Sequence, residues 1–89
     1  MVTIRLDKER HLLRTMRGMK LFREKTGKSM LKGFDPETLT EDDITAMLWS
    51  MLIHEDKGLK IEQVEEMVEG VDAQEVIRAV ASALGLIPG

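Results

Sequence analysis

The 89-residue sequence has no cysteine and no tyrosine, and its only aromatic residues are Phe22, Phe34 and Trp49. Without cysteine there are no disulfides, thiolate metal sites or cysteine nucleophiles, so any core must hold by packing. Few aromatics means few platforms on which nucleic-acid bases could stack. No apolar run approaches the roughly 20 residues of a membrane span. Arg5, Asp7 and Lys8 stand where a signal peptide requires an apolar stretch. A soluble, intracellular protein with no membrane partner is expected. No internal repeat or low-complexity tract is visible.

What is present fits one small globular domain spanning residues 1–89. Hydrophobic residues make up 43% and charged residues 33%, enough apolar surface to fold but too short a chain for two cores. The formal net charge of −3 hides a polarity. Residues 1–34 hold ten Lys/Arg against three Asp/Glu, a local +7, and residues 35–89 hold three against thirteen, a local −10. This pattern fits a basic patch for nucleic acid, basic and acidic faces that meet within or between subunits, or solvated faces that keep a small domain soluble.

The periodicity predicts a mainly α fold, a small bundle of about four helices with a short N-terminal β-hairpin. Val2 to Leu6 alternates as a half-buried strand does, with a turn expected over Asp7 to Arg10 and a return strand over His11 to Arg14. A helix starting near Lys8 is the competing reading, because Leu12, Met16, Met19 and Phe22 recur near helical spacing. The first helix is placed at Met16 to Thr26, with Thr15 as N-cap and Gly27 as a left-handed C-terminal cap. Ser29 to Gly33 could form a short turn, and Asp35-Pro36 is a helix-start signal. Thr40 with Asp43 is a second start signal, resembling a capping box, for a helix from Glu41. Its stripe of Ile44, Met47, Leu48, Met51 and Leu52 faces a core. Trp49, Ile53 and Ala46 fall outside that stripe, so the helix is apolar nearly all round and is either central or a partner surface. After Gly58, Ile61, Val64, Met67 and Val68 mark a third helix ending at Gly70. Asp72 with Glu75 forms a capping box for a fourth, with Val76, Ile77, Val80 and Leu84 turned inward as far as Gly85.

No catalytic or metal constellation emerges. Thr26-Gly27-Lys28-Ser29 ends like a phosphate-binding loop, but the glycine required five positions before Gly27 is Phe22, and helix precedes it rather than strand. His11 and His54 are far apart and lack HExxH spacing. His54-Glu55-Asp56 could tune a general base, though a histidine in a helix's last turn is accounted for by the helix dipole. Glu62, Glu65, Glu66 and Glu69 share a helix face with no calcium-loop pattern and are expected to be solvated. None of Ser29, Ser50 or Ser82 lies in a nucleophile elbow. The expectation is a non-enzyme with no cofactor and no metal.

Several stretches, in order, resemble tail assembly chaperones of long-tailed bacteriophages and prophages of Gram-positive hosts. Leu6-Asp7-Lys8-Glu9-Arg10-His11-Leu12 with Thr15-Met16 looks like the family's hairpin running into its first helix. Glu24-Lys25-Thr26-Gly27-Lys28-Ser29 is similar to its "E-x-T-G-K-S" helix end. Leu39-Thr40-Glu41-Asp42-Asp43 leads into Met47 to Asp56, which resembles the "aLlWagLlheD" segment, and Leu59 to Met67 resembles the "lTleeveell" helix. The resemblance covers roughly residues 3–84. Two departures stand out: Arg17, Lys20 and Arg23 make basic a helix that is usually more acidic in relatives, and Lys60 replaces a Thr cap.

The resemblance implies a protein that does no chemistry. Such chaperones bind the tape measure protein, keep it soluble and help recruit the tail tube protein in the host cytoplasm, and they are absent from the mature virion. The seven methionines suit a surface that adapts to apolar partners, although core filling explains any one of them as well. The partner-binding surface is expected at Trp49, Ile53 and Ala46, and the split charge predicts a homo-oligomer. The alternative is a small nucleic-acid-binding or regulatory protein using the basic N-terminal third, which the −10 remainder and scarce aromatics oppose.

Overall fold

The computed structural model describes residues 2–29 and 40–85. Among the described residues the chain forms an N-terminal hairpin and four helices: β1 (Val2–Arg5), β2 (Glu9–Leu12), α1 (Met16–Thr26), α2 (Glu41–Leu52), α3 (Ile61–Val68) and α4 (Ala73–Ala83). The mainly helical architecture with a short hairpin is as the periodicity predicts. The turn signals at Ser29 to Gly33 and Asp35-Pro36 fall, apart from Ser29, outside the described residues.

The strands pair antiparallel, with Val2 opposite Leu12 and Ile4 opposite Arg10. The second strand starts two residues earlier than its apolar pattern suggests. The reason is a tight turn: Leu6 N–H donates to the Lys8 carbonyl at 3.0 Å and Lys8 N–H to Asp7 Oδ1 at 2.9 Å, so pairing resumes by Glu9. Arg10 then points inward, buried, with its guanidinium held by both Asp7 carboxylate oxygens at 3.0 and 2.9 Å. A buried cation is tolerated because it is paired and hydrogen-bonded.

α2 is the axis of the domain. Thr40 Oγ1 accepts from Asp43 N–H and Asp43 Oδ2 accepts from Thr40 N–H, both at 3.1 Å, so the expected capping box is complete. Met47, Leu48, Met51 and Leu52 have no exposed surface, and α1, β2, α3 and α4 all pack on this helix. Burial of each such side chain contributes roughly 1.5–3 kcal/mol.

α1 crosses α2 at a small-residue contact. A methyl group at Gly18 would lie 3.1 Å from Thr15 Oγ1 and collide with the Ser50 carbonyl oxygen. The same Thr15 Oγ1 caps the helix by accepting from Gly18 N–H at 2.9 Å. Phe22, fully enclosed, fills the space one turn later. Gly27 ends α1 at φ 77°, its N–H donating to the Arg23 carbonyl at 2.8 Å. That is the left-handed cap read from the sequence.

Lys60 is the N-cap of α3, and its N–H donates to Gln63 Oε1 at 2.8 Å. Asp72 caps α4 by accepting from Gln74 N–H at 2.9 Å, so the cap is a single bond to the second helical residue rather than the capping box expected with Glu75. On α4, Val76, Val80 and Leu84 are buried as expected and Ala79 joins them, but Ile77 is not: it keeps 44% of its surface exposed. Consecutive positions lie 100° apart on a helix, so Val76 and Ile77 could not both face one narrow core.

Candidate functional site

The three residues expected to face a partner are accounted for inside the domain. Ala46 is 1% exposed and Ile53 is 5% exposed. Trp49 is half-buried, packs against the core, and donates its indole N–H to the Leu59 carbonyl at 2.8 Å. The expectation of an unpartnered surface here is therefore corrected. A helix apolar on all sides is central when neighbours surround it, and the turn through Gly58 brings the Leu59 carbonyl to the Trp49 indole.

The two histidines meet despite their separation in sequence. His54 follows α2, and its Nε2–H donates to the His11 carbonyl at 2.7 Å. A carbonyl can only accept, which assigns the proton to Nε2. Glu55 accepts from His11 twice, from the backbone N–H at 3.2 Å and from ring Nδ1 at 2.9 Å. Burial pushes the Glu55 carboxyl up, but the His11 contacts outweigh it and its pKa lies below the usual value. Leu13 N–H donates to the Met51 carbonyl at 3.2 Å, extending the same seam. His54 and Glu55 thus clasp β2 to the end of α2. No group of three or more potential metal ligands occurs among the described residues.

Lys28 likewise has a structural partner. Its Nζ lies 2.6 Å from Asp43 Oδ2, tying the exit of α1 to the start of α2. This bond, with the Thr40 backbone contact, holds the Asp43 carboxyl below its ordinary pKa despite burial. Thr26 Oγ1 donates to the Phe22 carbonyl at 2.9 Å and accepts from Lys28 N–H at 3.1 Å. The phosphate-loop-like tetrapeptide is thus a helix terminus with an ion pair.

Two open surfaces among the described residues stand out. One is an apolar groove of about 170 Å3 between α2, α3 and α4, whose lining includes Ile44, Leu48, Val68, Val71, Val76 and Ile77 together with Glu41. Glu69, Asp72 and Glu75, chain neighbours of its lining residues, are exposed, as is Arg78 beside Ile77. The apolar period of α4 turns Ile77 inward and so hides this groove in the sequence; the adjacent Val76-Ile77 pair, too wide for one stripe, is the signal that one must face out. The other surface is the outer face of α1, where Met16 is 75% exposed beside Arg17, Met19, Lys20 and Arg23.

No family model matches the chain, and no curated protein or solved structure matches it either. No helix among the described residues is long and apolar enough to cross a membrane.

Proposed function

We propose that this chain is a non-enzymatic phage tail assembly chaperone. In this reading it binds and solubilises the tape measure protein and helps recruit tail tube protein in the cytoplasm of a bacterial host, and it is absent from the mature virion. The ordered resemblance over residues 3–84 supplies the family. The observation that carries the physical side is the open apolar groove lined in part by the exposed Ile77. An apolar groove accepts one face of an amphipathic client helix, and the acidic surroundings of this one favour a client whose apolar stripe is flanked by Lys or Arg.

Co-expression with the tape measure protein tests the reading. The client should move to the soluble fraction with the wild-type chain and return to the pellet with Ile77→Gln. A client that stays insoluble beside the wild-type chain overturns it. The basic face of α1 favours nucleic acid as a second reading. Against it, Phe22 is the aromatic of that helix and is fully buried, so the face offers charge without a stacking platform. Labelled DNA or RNA retarded at low salt by the wild-type chain and not by Arg17→Glu would reverse the order of the two readings.

A further inference from the structure

The fold treats the two edges of the hairpin differently. On β2, His11 turns both main-chain groups away from β1: its N–H donates to Glu55 Oε1 at 3.2 Å and its carbonyl accepts from His54 Nε2 at 2.7 Å. Leu13 N–H, next along the same edge, donates to the Met51 carbonyl at 3.2 Å. The end of α2 therefore closes that edge. In an antiparallel pair, a residue either exchanges both hydrogen bonds with the one opposite or points both groups outward. Thr3 lies opposite His11 and Arg5 opposite Glu9, so Thr3 and Arg5 carry the outward N–H and C=O groups of β1. The bond from Leu6 N–H to the Lys8 carbonyl fits the same alternation. Thr3 and Arg5 are exposed, and their outward groups have no main-chain partner among the described residues.

The two faces of this open edge differ in chemistry. Side chains alternate along a strand, so Val2, Ile4 and Leu6 share the inner face. Ile4 is buried, but Val2 and Leu6 are only half-buried and leave apolar surface uncovered. On the outer face Arg5 is exposed, with no carboxylate partner among the described residues.

We infer that the open edge of β1 takes an extended segment of a partner protein as a third, antiparallel strand, with an acidic side chain opposite Arg5 and apolar side chains beside Ile4. Strand addition to a free edge draws its affinity from main-chain hydrogen bonds and its selectivity from alternate side chains. Here Thr3 and Arg5 supply about four such bonds, Arg5 selects an acid, and the inner face selects apolar neighbours. Two copies pairing edge to edge would bring both Arg5 side chains onto one face, cation near cation, which disfavours that occupant. A client helix suits the groove between α2, α3 and α4, so the two surfaces take segments of different shape. The inference rests on the hairpin and is independent of the chaperone reading.

Titrating the peptide acetyl-Ser-Val-Glu-Val-Thr-Val-Ser-amide into the isotope-labelled full chain, followed by NMR, tests it. In the antiparallel register its Glu lies opposite Arg5, its central Val opposite Ile4 and its Thr opposite Thr3. By about 1 mM peptide the Thr3 and Arg5 amide signals should shift, and at about ten times Kd their hydrogen exchange should slow about tenfold. Thr3→Pro deletes an outward donor and spares the bonds between the strands, a position where proline is tolerated. It should melt within a few degrees of wild type and bind at least about tenfold more weakly. Arg5→Glu should weaken the same peptide about fivefold and bind instead the version with Lys in place of Glu. Absence of shifts at Thr3 and Arg5, shifts centred on Ile44 and Ile77 of the groove, or equal binding by a folded Thr3→Pro chain overturns the inference. So do Thr3 and Arg5 amides already protected without peptide that lose protection on dilution, since a second copy then fills the edge. If Thr3→Pro unfolds, the Arg5→Glu exchange decides, and failure of the Lys peptide to bind that variant overturns the inference.

Discussion

Apolar side chains lie off the core stripe in two regions of this molecule, with opposite outcomes. On α2, Ala46 and Ile53 are buried and Trp49 is half-buried with its N–H satisfied; on α1 and α4, Met16 and Ile77 keep 75% and 44% of their surface. The difference lies in the surroundings. α2 has α1, β2, α3 and α4 against it, whereas α2 is the main packing partner of α1, and α4 turns one side to α2 and the hairpin. An apolar residue off a stripe marks a partner surface only where the fold supplies no cover. The helix that looked most like an interface is therefore the core, and two open apolar positions, Met16 and Ile77, sit on helices whose patterns looked ordinary.

The sharpest way to break this comparison is Trp49→Ala. As a residue packed on the core and bonded to the Leu59 carbonyl, it should cost about 3 kcal/mol, close to the lower end for large-to-small core substitutions. For a domain of this size that lowers Tm by roughly 12–24 °C in a circular dichroism melt. A variant melting within a few degrees of wild type would return Trp49 to the partner surface.

Gly18→Ala probes why α2 is so fully covered. The added methyl would strike the Ser50 backbone carbonyl, which has no flexible side chain to yield. Overpacking should outweigh the helix-propensity gain of alanine, with a net loss of about 2 kcal/mol in urea unfolding. A stabilised variant would show that the α1–α2 crossing has slack.

Acid titration separates the polar seams from the apolar core. Asp7, Asp43 and Glu55 all have depressed pKa values: Asp7 through the Arg10 guanidinium, Asp43 through Lys28, and Glu55 through His11 after burial is overcome. A depressed carboxylate contributes stability that is fully present above its unfolded pKa of about 4 and is lost as pH falls through the lower folded value. Tm should therefore hold from about pH 7 to about pH 5 and decline below about pH 4. Asp43→Asn should lose about 1 kcal/mol at neutral pH, since Lys28 is partly exposed, and less under acid, where the wild-type pair is gone as well. An equal deficit at both pH values would mean that the charge of Asp43 is irrelevant.

The smallest effect belongs to Ile77→Gln, whose stability should stay within about 0.5 kcal/mol of wild type, as for an exposed helical site. A larger loss in the same melts would place Ile77 among the residues the domain covers and erase the contrast with Trp49.

Local chemistry made much of this architecture legible in the sequence. Thr15 with Gly27, Thr40 with Asp43, and Asp72 fix helix ends within a few residues of themselves, and the 3.6-residue period selects the buried faces of α2 and α3. The excess of cations on α1 and of glutamates on α3 is likewise a property of consecutive residues. Partners distant in sequence were decided only by tertiary structure. His54 and Glu55 meet His11 across more than forty residues, Gly18 matters because Ser50 crosses it, and Trp49 is satisfied by a carbonyl delivered by the turn at Gly58. A periodic pattern records how apolar each side of a helix is. How many elements gather round that helix depends on long-range packing, and this is why α2 became the centre of the domain while Ile77 and Met16 were left at its surface.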